Sequence, residues 1–458
     1  MIHKFKLDET RILLDVNSGS VHIIDEMTFD VLDYYPELDS QETIKLLSNK
    51  YEKESILEAI EEIAALEREG LLFTEDTYQN HPAFLNRNPV VKALCLHVAH
   101  DCNISCKYCF ASQGDFKGER SLMSEEIGKK AIDFLIKHSG NRRNLEVDFF
   151  GGEPLMNLTV VKKIVAYGRQ LEKAYNKRFR FTITTNGVLL DEENMKYINE
   201  NMDNVVLSID GRKDVNDNMR CTLKGGGTYD IILPKLKKMT EMRKGKSYYV
   251  RGTFTRNNLD FSHDVLHLAD LGFENTSVEP VVAEPDKDYA IRQEDLKEIF
   301  QQYELLAKEY ASRKENGKGF NFFHFMIDLN QGPCVIKRLS GCGAGSEYLA
   351  ITPEGDIYPC HQFVGNEQFK MGNLENGQFV KDLQKEFGNA NVYNKEQCNQ
   401  CWAKFYCSGG CHANAYNFHK DIHQPYEIGC EMEKKRIECS LVIQANLLKK
   451  NNDENYLL

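Results

Sequence analysis

The stretch Cys102-Asn103-Ile104-Ser105-Cys106-Lys107-Tyr108-Cys109 lies just after the apolar run Ala93-Leu94-Cys95-Leu96-His97-Val98. Three thiolates at C-x3-C-x2-C spacing can hold three irons of a cubane iron–sulfur cluster, and no further cysteine follows nearby to claim the fourth. An iron without a protein ligand can accept a small chelate, such as an amino acid's amine and carboxylate. Structural zinc is the alternative. A closed zinc site takes four ligands, however, and His97 and His100 stand on the other side of Cys102.

A chain of 458 residues suggests roughly three domains and is long enough to bury a sizeable core. Its 41% hydrophobic and 28% charged content is that of an ordinary soluble protein. No apolar run approaches the length of a membrane span, and Met1-Ile2-His3-Lys4-Phe5-Lys6 has no signal-peptide core, so a cytoplasmic protein is expected. A net charge of −12 argues against a general nucleic-acid surface. Disulfides are disfavoured in the cytoplasm, so 14 cysteines point to metal or redox sites. Three lie at 102–109, eight between 334 and 430, and Cys95, Cys221 and Cys439 stand apart as spare thiols or small hydrophobes.

Residues 1–75 read as a small domain: short strands at His3–Leu7, Arg11–Asp15 and Ser20–Ile24, then helices at Glu26–Tyr34, Gln41–Tyr51 and Glu54–Glu69, with Leu71-Leu72-Phe73 as a possible last strand. Residues 76–90 are polar and proline-punctuated, like a linker. From Val90 to Pro280 short apolar strands alternate with helices. The strands expected are Leu94–Val98, Glu146–Phe150, Phe179–Thr184, Val205–Ile209, Tyr248–Thr255 and Thr276–Pro280. Such β/α units imply a parallel sheet with functional loops at the strand C-termini, either doubly wound or an incomplete barrel. Gln293–Lys314 reads as a long bridging helix, and the aromatics Phe320, Phe322, Phe323 and Phe325 read as core.

C-x3-C-x2-C after a strand resembles the radical S-adenosylmethionine (SAM) family. That resemblance implies a [4Fe–4S] cluster on Cys102, Cys106 and Cys109 whose open iron binds SAM, and one-electron cleavage of SAM to a 5′-deoxyadenosyl radical. It also selects a partial (β/α)6 TIM barrel over residues 91–284 as the α/β fold. Gly151-Gly152-Glu153-Pro154 after the second strand matches the family's motif for the SAM amino group. Asn186 after the third strand, and Ser208 and Asp210 after the fourth, fall where the family places SAM contacts. Arg220 fits the arginine that follows, and Tyr108 the aromatic beside adenine. Arg251 and Glu279 could instead be an ordinary barrel ion pair.

Residues 285–333 form the bridge to a cysteine-rich region, 334–458. There Cys342-x12-Gly355-x4-Cys360, then Cys398-x2-Cys401-x5-Cys407-x3-Cys411 and Cys430, match the SPASM pattern. Paired structural zincs share C-x2-C, but the resemblance implies two auxiliary [4Fe–4S] clusters, making three in all. It assigns Cys342, Cys360 and Cys411 to a near cluster, with Cys334 as candidate fourth ligand, and Cys398, Cys401, Cys407 and Cys430 to a far one. Seven residues separate Cys334 from Cys342, a wider gap than the resemblance to sulfatase maturases implies, so a near cluster with a vacant iron also fits. The N-terminal strands and helices resemble the winged-helix domain that captures a leader peptide as an added strand.

Over its length the chain resembles SCIFF-peptide maturases, among the sactipeptide and ranthipeptide synthases; Asp101–Phe110, Phe149–Pro154 and Gly332–His361 carry the likeness. This implies an enzyme that forms a thioether, cysteine sulfur to carbon, in a ribosomally made cysteine-rich precursor, with a one-electron donor such as flavodoxin or ferredoxin. A sulfatase-maturase-like or other SPASM peptide oxidase is the second enzymatic expectation. An iron–sulfur electron carrier or a zinc-stapled peptide-binding module is the non-enzymatic one.

Overall fold

The computed structural model describes residues 1–82, 90–329 and 335–451. At its N-terminus β1 (Ile2–Leu7), β2 (Thr10–Asp15) and β3 (Val21–Ile24) form an antiparallel sheet in that order. Helices α1 (Glu26–Val31), α2 (Ser40–Leu47) and α3 (Lys53–Arg68) pack Val31, Leu47, Ile56, Ala59 and Ile63 around Leu13. Leu71–Phe73 is not a strand. Leu72 enters this helical core and Phe73 turns at φ 52°, so its apolar character serves packing rather than pairing.

The parallel strands are β4 (Ala93–His100), β5 (Asn144–Gly151), β6 (Arg178–Thr185), β7 (Asn204–Ser208), β8 (Ser247–Phe254) and β9 (Asn275–Pro280). Between them run α4 (Glu125–His138), α5 (Leu158–Tyr175), α6 (Glu192–Asn201), α7 (Tyr229–Met242) and α8 (Phe261–Asp270). Strand order follows chain order without closure, as in a partial barrel. Alternation decides what faces where. On β5, Leu145, Val147 and Phe149 are buried in the main apolar core, which also takes Ala131, Leu135, Val161 and Ile164 from α4 and α5. Glu146, Asp148 and Phe150 line a polar cavity of about 410 Å³ with Arg180, Thr182 and Arg251 from neighbouring strands. The barrel therefore has an apolar outer layer and a polar interior.

Helix α9 (Leu296–Glu315) buries Ile299, Tyr303, Leu306 and Tyr310, and β10 (Asn321–Phe322) pairs with β9. Of the expected aromatic core, Phe320, Phe322 and Phe325 are buried but Phe323 is exposed. The cysteine-rich region is not a separate layer. Its first strand, β11 (Tyr348–Ile351), runs parallel to β4, pairing Leu349 with Leu94, and an antiparallel ladder continues through β12 (Asp356–Tyr358), β13 (Gly372–Asn373) and β14 (Gln378–Phe379).

The final helix α10 (Glu427–Asn451) packs on α9 and reaches back to the N-terminal sheet, where Asn446 Nδ2 donates to Thr10 Oγ1 at 3.2 Å. His3 stacks on Trp402 with ring centroids 3.8 Å apart. The start of the expected linker is anchored too: Asp76 accepts from Tyr393 Oη and Lys404 Nζ, both at 2.9 Å, and Tyr78 packs edge-on to Phe405. Residues 83–89 lie outside the described residues. Among the described residues no helix is long and apolar enough to cross a membrane.

Candidate functional site

The loop after β4 carries Cys102, Cys106 and Cys109 to the C-terminal end of the barrel, where they line a cavity of about 530 Å³, well within the range of small-molecule sites. Two backbone contacts fix the loop against the turn after β5. Gly152 N donates to Ala99 O at 2.8 Å and Glu153 N to Asp101 O at 2.9 Å. This approach requires both glycines, since a Cβ on Gly151 would stand 2.2 Å from Ala99 O and one on Gly152 2.1 Å from Asp101 O. A short antiparallel pairing of Ile104–Cys106 with Arg220–Thr222 holds the loop from the other side.

Behind the loop, Tyr108 Oη donates to the Asp210 carboxylate, 2.8 Å from each oxygen, and accepts from Arg220 Nη1 at 2.9 Å. Asp210 also accepts from Thr253 N at 3.1 Å. Burial pushes the Asp210 carboxyl up to about 6, with Arg220 and Tyr108 opposing the rise. Glu153 is wholly buried and accepts from Leu155 N, Thr185 Oγ1 (2.7 Å) and Asn186 N (2.8 Å). Asn186 Nδ2 in turn donates to Asn103 Oδ1 at 2.8 Å and lies 3.7 Å from Cys102 Sγ. Tyr108, Gly151, Gly152, Glu153, Asn186, Ser208, Asp210 and Arg220 thus all line the same cavity as the three cysteines. Tyr108 and Asp210 are engaged with each other, which makes them supports of the cysteine loop.

The opposite wall brings in Cys342, Cys360 and Cys411. These three feel one another electrostatically, and burial raises the Cys360 and Cys411 thiols. A second group, Cys398, Cys401, Cys407 and Cys430, lines a separate cavity of about 290 Å³ beside Trp402 and Lys434. Burial pushes Cys407 up to about 12 and Cys430 to about 11, each further raised by the other members. In the barrel loop Cys102 rises to about 11 and Cys106 to about 12 for the same first reason.

Every described cysteine is a free thiol. Among the described residues no three His, Cys, Asp or Glu side chains gather tightly enough for a single metal ion. Sets of soft sulfur ligands, some buried and some at the cavity surface, have the donor chemistry that suits iron–sulfur clusters. Arg220, which lines the barrel cavity, has its buried Nε donor without a partner among the described residues, which fits an anionic or polar ligand there. Cys334 lies outside the described residues.

Arg251 and Glu279 do form an ion pair, at 2.9 Å, yet both line the cavity and Arg251 stays half exposed. Tyr348, His361, Gln362 and Asn414 complete the wall between the cysteine sets without having been expected there. Adjacency to Cys360 and Cys411 was the one available signal for the last three.

Residues 91–232 match the family model of the 4Fe-4S single cluster domain and residues 342–402 that of SPASM, an iron–sulfur cluster-binding domain. The chain is 23% identical over 386 residues to the radical SAM cyclopropyl synthase TigE of Paramaledivibacter caminithermalis, covering 80% of this chain and 77% of that protein. It is 22% identical to a cysteine-type anaerobic sulfatase-maturating enzyme of Clostridium novyi, over 69% and 86% of the two chains. In structure it resembles anSMEcpe with bound AdoMet and Cp18Cys peptide, with a TM-score of 0.65 at 20% identity over 80% and 100% of the two chains. It likewise resembles Streptococcus suis SuiB bound to S-adenosylmethionine, with a TM-score of 0.54 at 18% identity over 93% and 98%. The first match holds Cys102, Cys106 and Cys109 and the second Cys342, Cys360, Cys398 and Cys401, on a partial barrel shared with these structures, so the chain is similar to radical SAM enzymes that carry a SPASM domain.

Proposed function

We propose that the protein is a radical SAM peptide maturase that forms an intramolecular thioether, cysteine sulfur to carbon, in a ribosomally made cysteine-rich precursor of the SCIFF type. The observation that carries this is the shared cavity, where the Cys102 set and the Cys342 set face one space of about 530 Å³. In this reading Cys102, Cys106 and Cys109 hold one [4Fe–4S] cluster, Cys342, Cys360 and Cys411 a second, and Cys398, Cys401, Cys407 and Cys430 a third. When loaded and reduced, these groups supply one-electron cleavage of SAM and a route for the electron that C–S bond formation releases.

The chain's own residues do the positioning. Gly151 and Gly152 present bare backbone to the SAM ammonium, Arg220 offers its free Nε to a carboxylate, and Asn186 and Ser208 suit ribose hydroxyls. Tyr108 and Asp210 keep the cysteine loop in register. The Cys342 set, with Cys342 and Cys411 exposed and Cys360 buried, leaves room for the sulfur of a substrate cysteine, which metal ligation would deprotonate and hold near the reacting carbon. The outer edges of β1 and β3 have no strand neighbour among the described residues, so the N-terminal sheet can take a leader peptide as an added strand. The likeness to SuiB, which is also known bound to its precursor peptide SuiA, supports this, since it extends over 93% of the chain. A one-electron donor of the flavodoxin or ferredoxin class completes the cycle.

The sulfatase-maturating relatives support a second reading, a SPASM peptide oxidase. Co-expression with a cysteine-rich precursor, followed by mass spectrometry, separates the two. A loss of two hydrogens per bridge, with thiol consumption, is expected for the full chain, and little turnover after deletion of residues 1–75. A cysteine converted to an aldehyde, or turnover indifferent to the deletion, would favour the oxidase.

A further inference from the structure

Lys395 stands just ahead of the short helix Glu396–Asn399, which carries Cys398, and its side chain is buried, 1% exposed. Its Nζ donates to Gly409 O at 2.8 Å and lies 3.3 Å from His412 Nδ1. A buried ammonium is expensive unless an anion accompanies it. Lys404, nine residues on, shows the usual arrangement, with Asp76 at 2.9 Å. Burial pushes the Lys395 ammonium below its usual range, and the groups that oppose this are sulfurs: Cys398, Cys407, Cys411 and Cys430. Three of these belong to the set in the smaller cavity, whereas Cys411 belongs with Cys342 and Cys360 on the wall of the larger one. Gly409, which accepts from this amine, lines the smaller cavity and His412 lines the larger one, so one buried amine touches the walls of both. The residues that hold it, Gly409 and His412, flank Cys411 in the segment that joins the sets.

We propose that Lys395 is a positioning residue whose ammonium is shared by both auxiliary cluster sites, stabilising the reduced state of each and easing electron passage between them. The inference rests on the reading that both cysteine sets hold iron–sulfur clusters. Reduction adds one negative charge to a cluster, and a desolvated cation nearby favours that gain far more than it would in water. The lysine itself exchanges neither proton nor electron. An electron arriving on the Cys342 side leaves on the Cys398 side, with the fixed charge favouring its residence at both.

The test is a redox titration, followed by electron paramagnetic resonance, of the anaerobically reconstituted full chain and its Lys395→Met and Lys395→Arg variants. In Lys395→Met the reduced-to-oxidised ratio of both auxiliary clusters at a fixed poise should fall at least tenfold, about 59 mV for one electron. The signal assigned to the Cys102 set should stay in place, and Lys395→Arg should restore the auxiliary potentials. If Lys395→Met instead loses auxiliary iron while Lys395→Arg keeps it, the need for the charge is shown in another way. Parental potentials in Lys395→Met, or equal losses in the Met and Arg variants, would overturn the role of the charge. Parent protein that binds iron only at the Cys102 set would overturn the cluster reading itself, and iron and sulfide analysis distinguishes that case.

Discussion

Tyr108→Phe isolates the support of the cysteine loop, because it removes one oxygen and leaves the ring. That oxygen donates to Asp210 at 2.8 Å and accepts from Arg220 at 2.9 Å, while the two charged groups stand 3.9 Å apart. Hydrogen bonds to charged groups contribute about 1.5–3 kcal/mol each, and the groups left behind are buried. Closer approach of Arg220 to Asp210 recovers part of the loss, so a net cost of about 3 kcal/mol to the closed loop is expected, roughly a hundredfold in its opening equilibrium. Hydrogen exchange of the cluster-free protein under reducing conditions reads this locally, through amides such as Lys107 N, which donates to Met219 O at 2.9 Å. Peptides spanning Cys102–Cys109 should exchange faster by that order, while peptides from α9 stay unchanged. Adding Asp210→Asn should cost less than the sum of the single changes, because the stranded carboxylate is gone. Exchange in the loop within twofold of the parent would refute the supporting role of the Tyr108–Asp210–Arg220 cluster.

Gly152→Ala places a Cβ 2.1 Å from the backbone oxygen of Asp101, which cannot move without moving Cys102. Overpacking of this kind costs about 1–3 kcal/mol, and iron bound at the Cys102 set should fall while the auxiliary sets keep theirs, as counted by iron analysis and spectroscopy. Burial, then Glu146, pushes the Asp148 carboxyl up to about 7 from 3.8, so the folded chain holds a proton that the unfolded chain has lost. The stability tied to Asp148 is therefore present below pH 4 and drains away as pH rises to 7. Asp148→Asn should flatten that slope and raise denaturation resistance at pH 8 by up to about 4 kcal/mol, an order-of-magnitude figure checked by chemical denaturation across pH.

The barrel was legible because its two periodicities are clean. Ser124 caps α4, its side chain accepting from Ile127 N, and the apolar strands fall at nearly the expected bounds. The cysteine sets were legible from spacing as candidates, and the fold brings Cys102, Cys106, Cys109, Cys342, Cys360 and Cys411 to one cavity and Cys398, Cys401, Cys407 and Cys430 to another. Lys213–Met219 was missed because its residues are polar and poor helix formers. It is held by tertiary bonds, Asp217 accepting from Tyr229 N at 2.7 Å and Asn216 Nδ2 donating to Thr228 Oγ1 at 3.1 Å. Helix α10 was missed because it is covered on several sides and shows no single apolar stripe. Lys395 gave no signal, since a lysine in a cysteine-rich segment reads as solvated surface until its burial is seen. Linker composition at Asp76 likewise hid a carboxylate that Lys404 and Tyr393 both require.

The most direct measurement is dithionite-driven turnover of SAM by anaerobically reconstituted protein, followed by chromatography and by paramagnetic resonance before and after SAM is added. A spectral change on SAM addition and release of 5′-deoxyadenosine, both abolished by Cys106→Ala and retained in part by Cys342→Ala, are the results expected. Tetrahedral zinc at Cys102, Cys106 and Cys109, with a spectrum indifferent to SAM and no nucleoside released, would contradict the account.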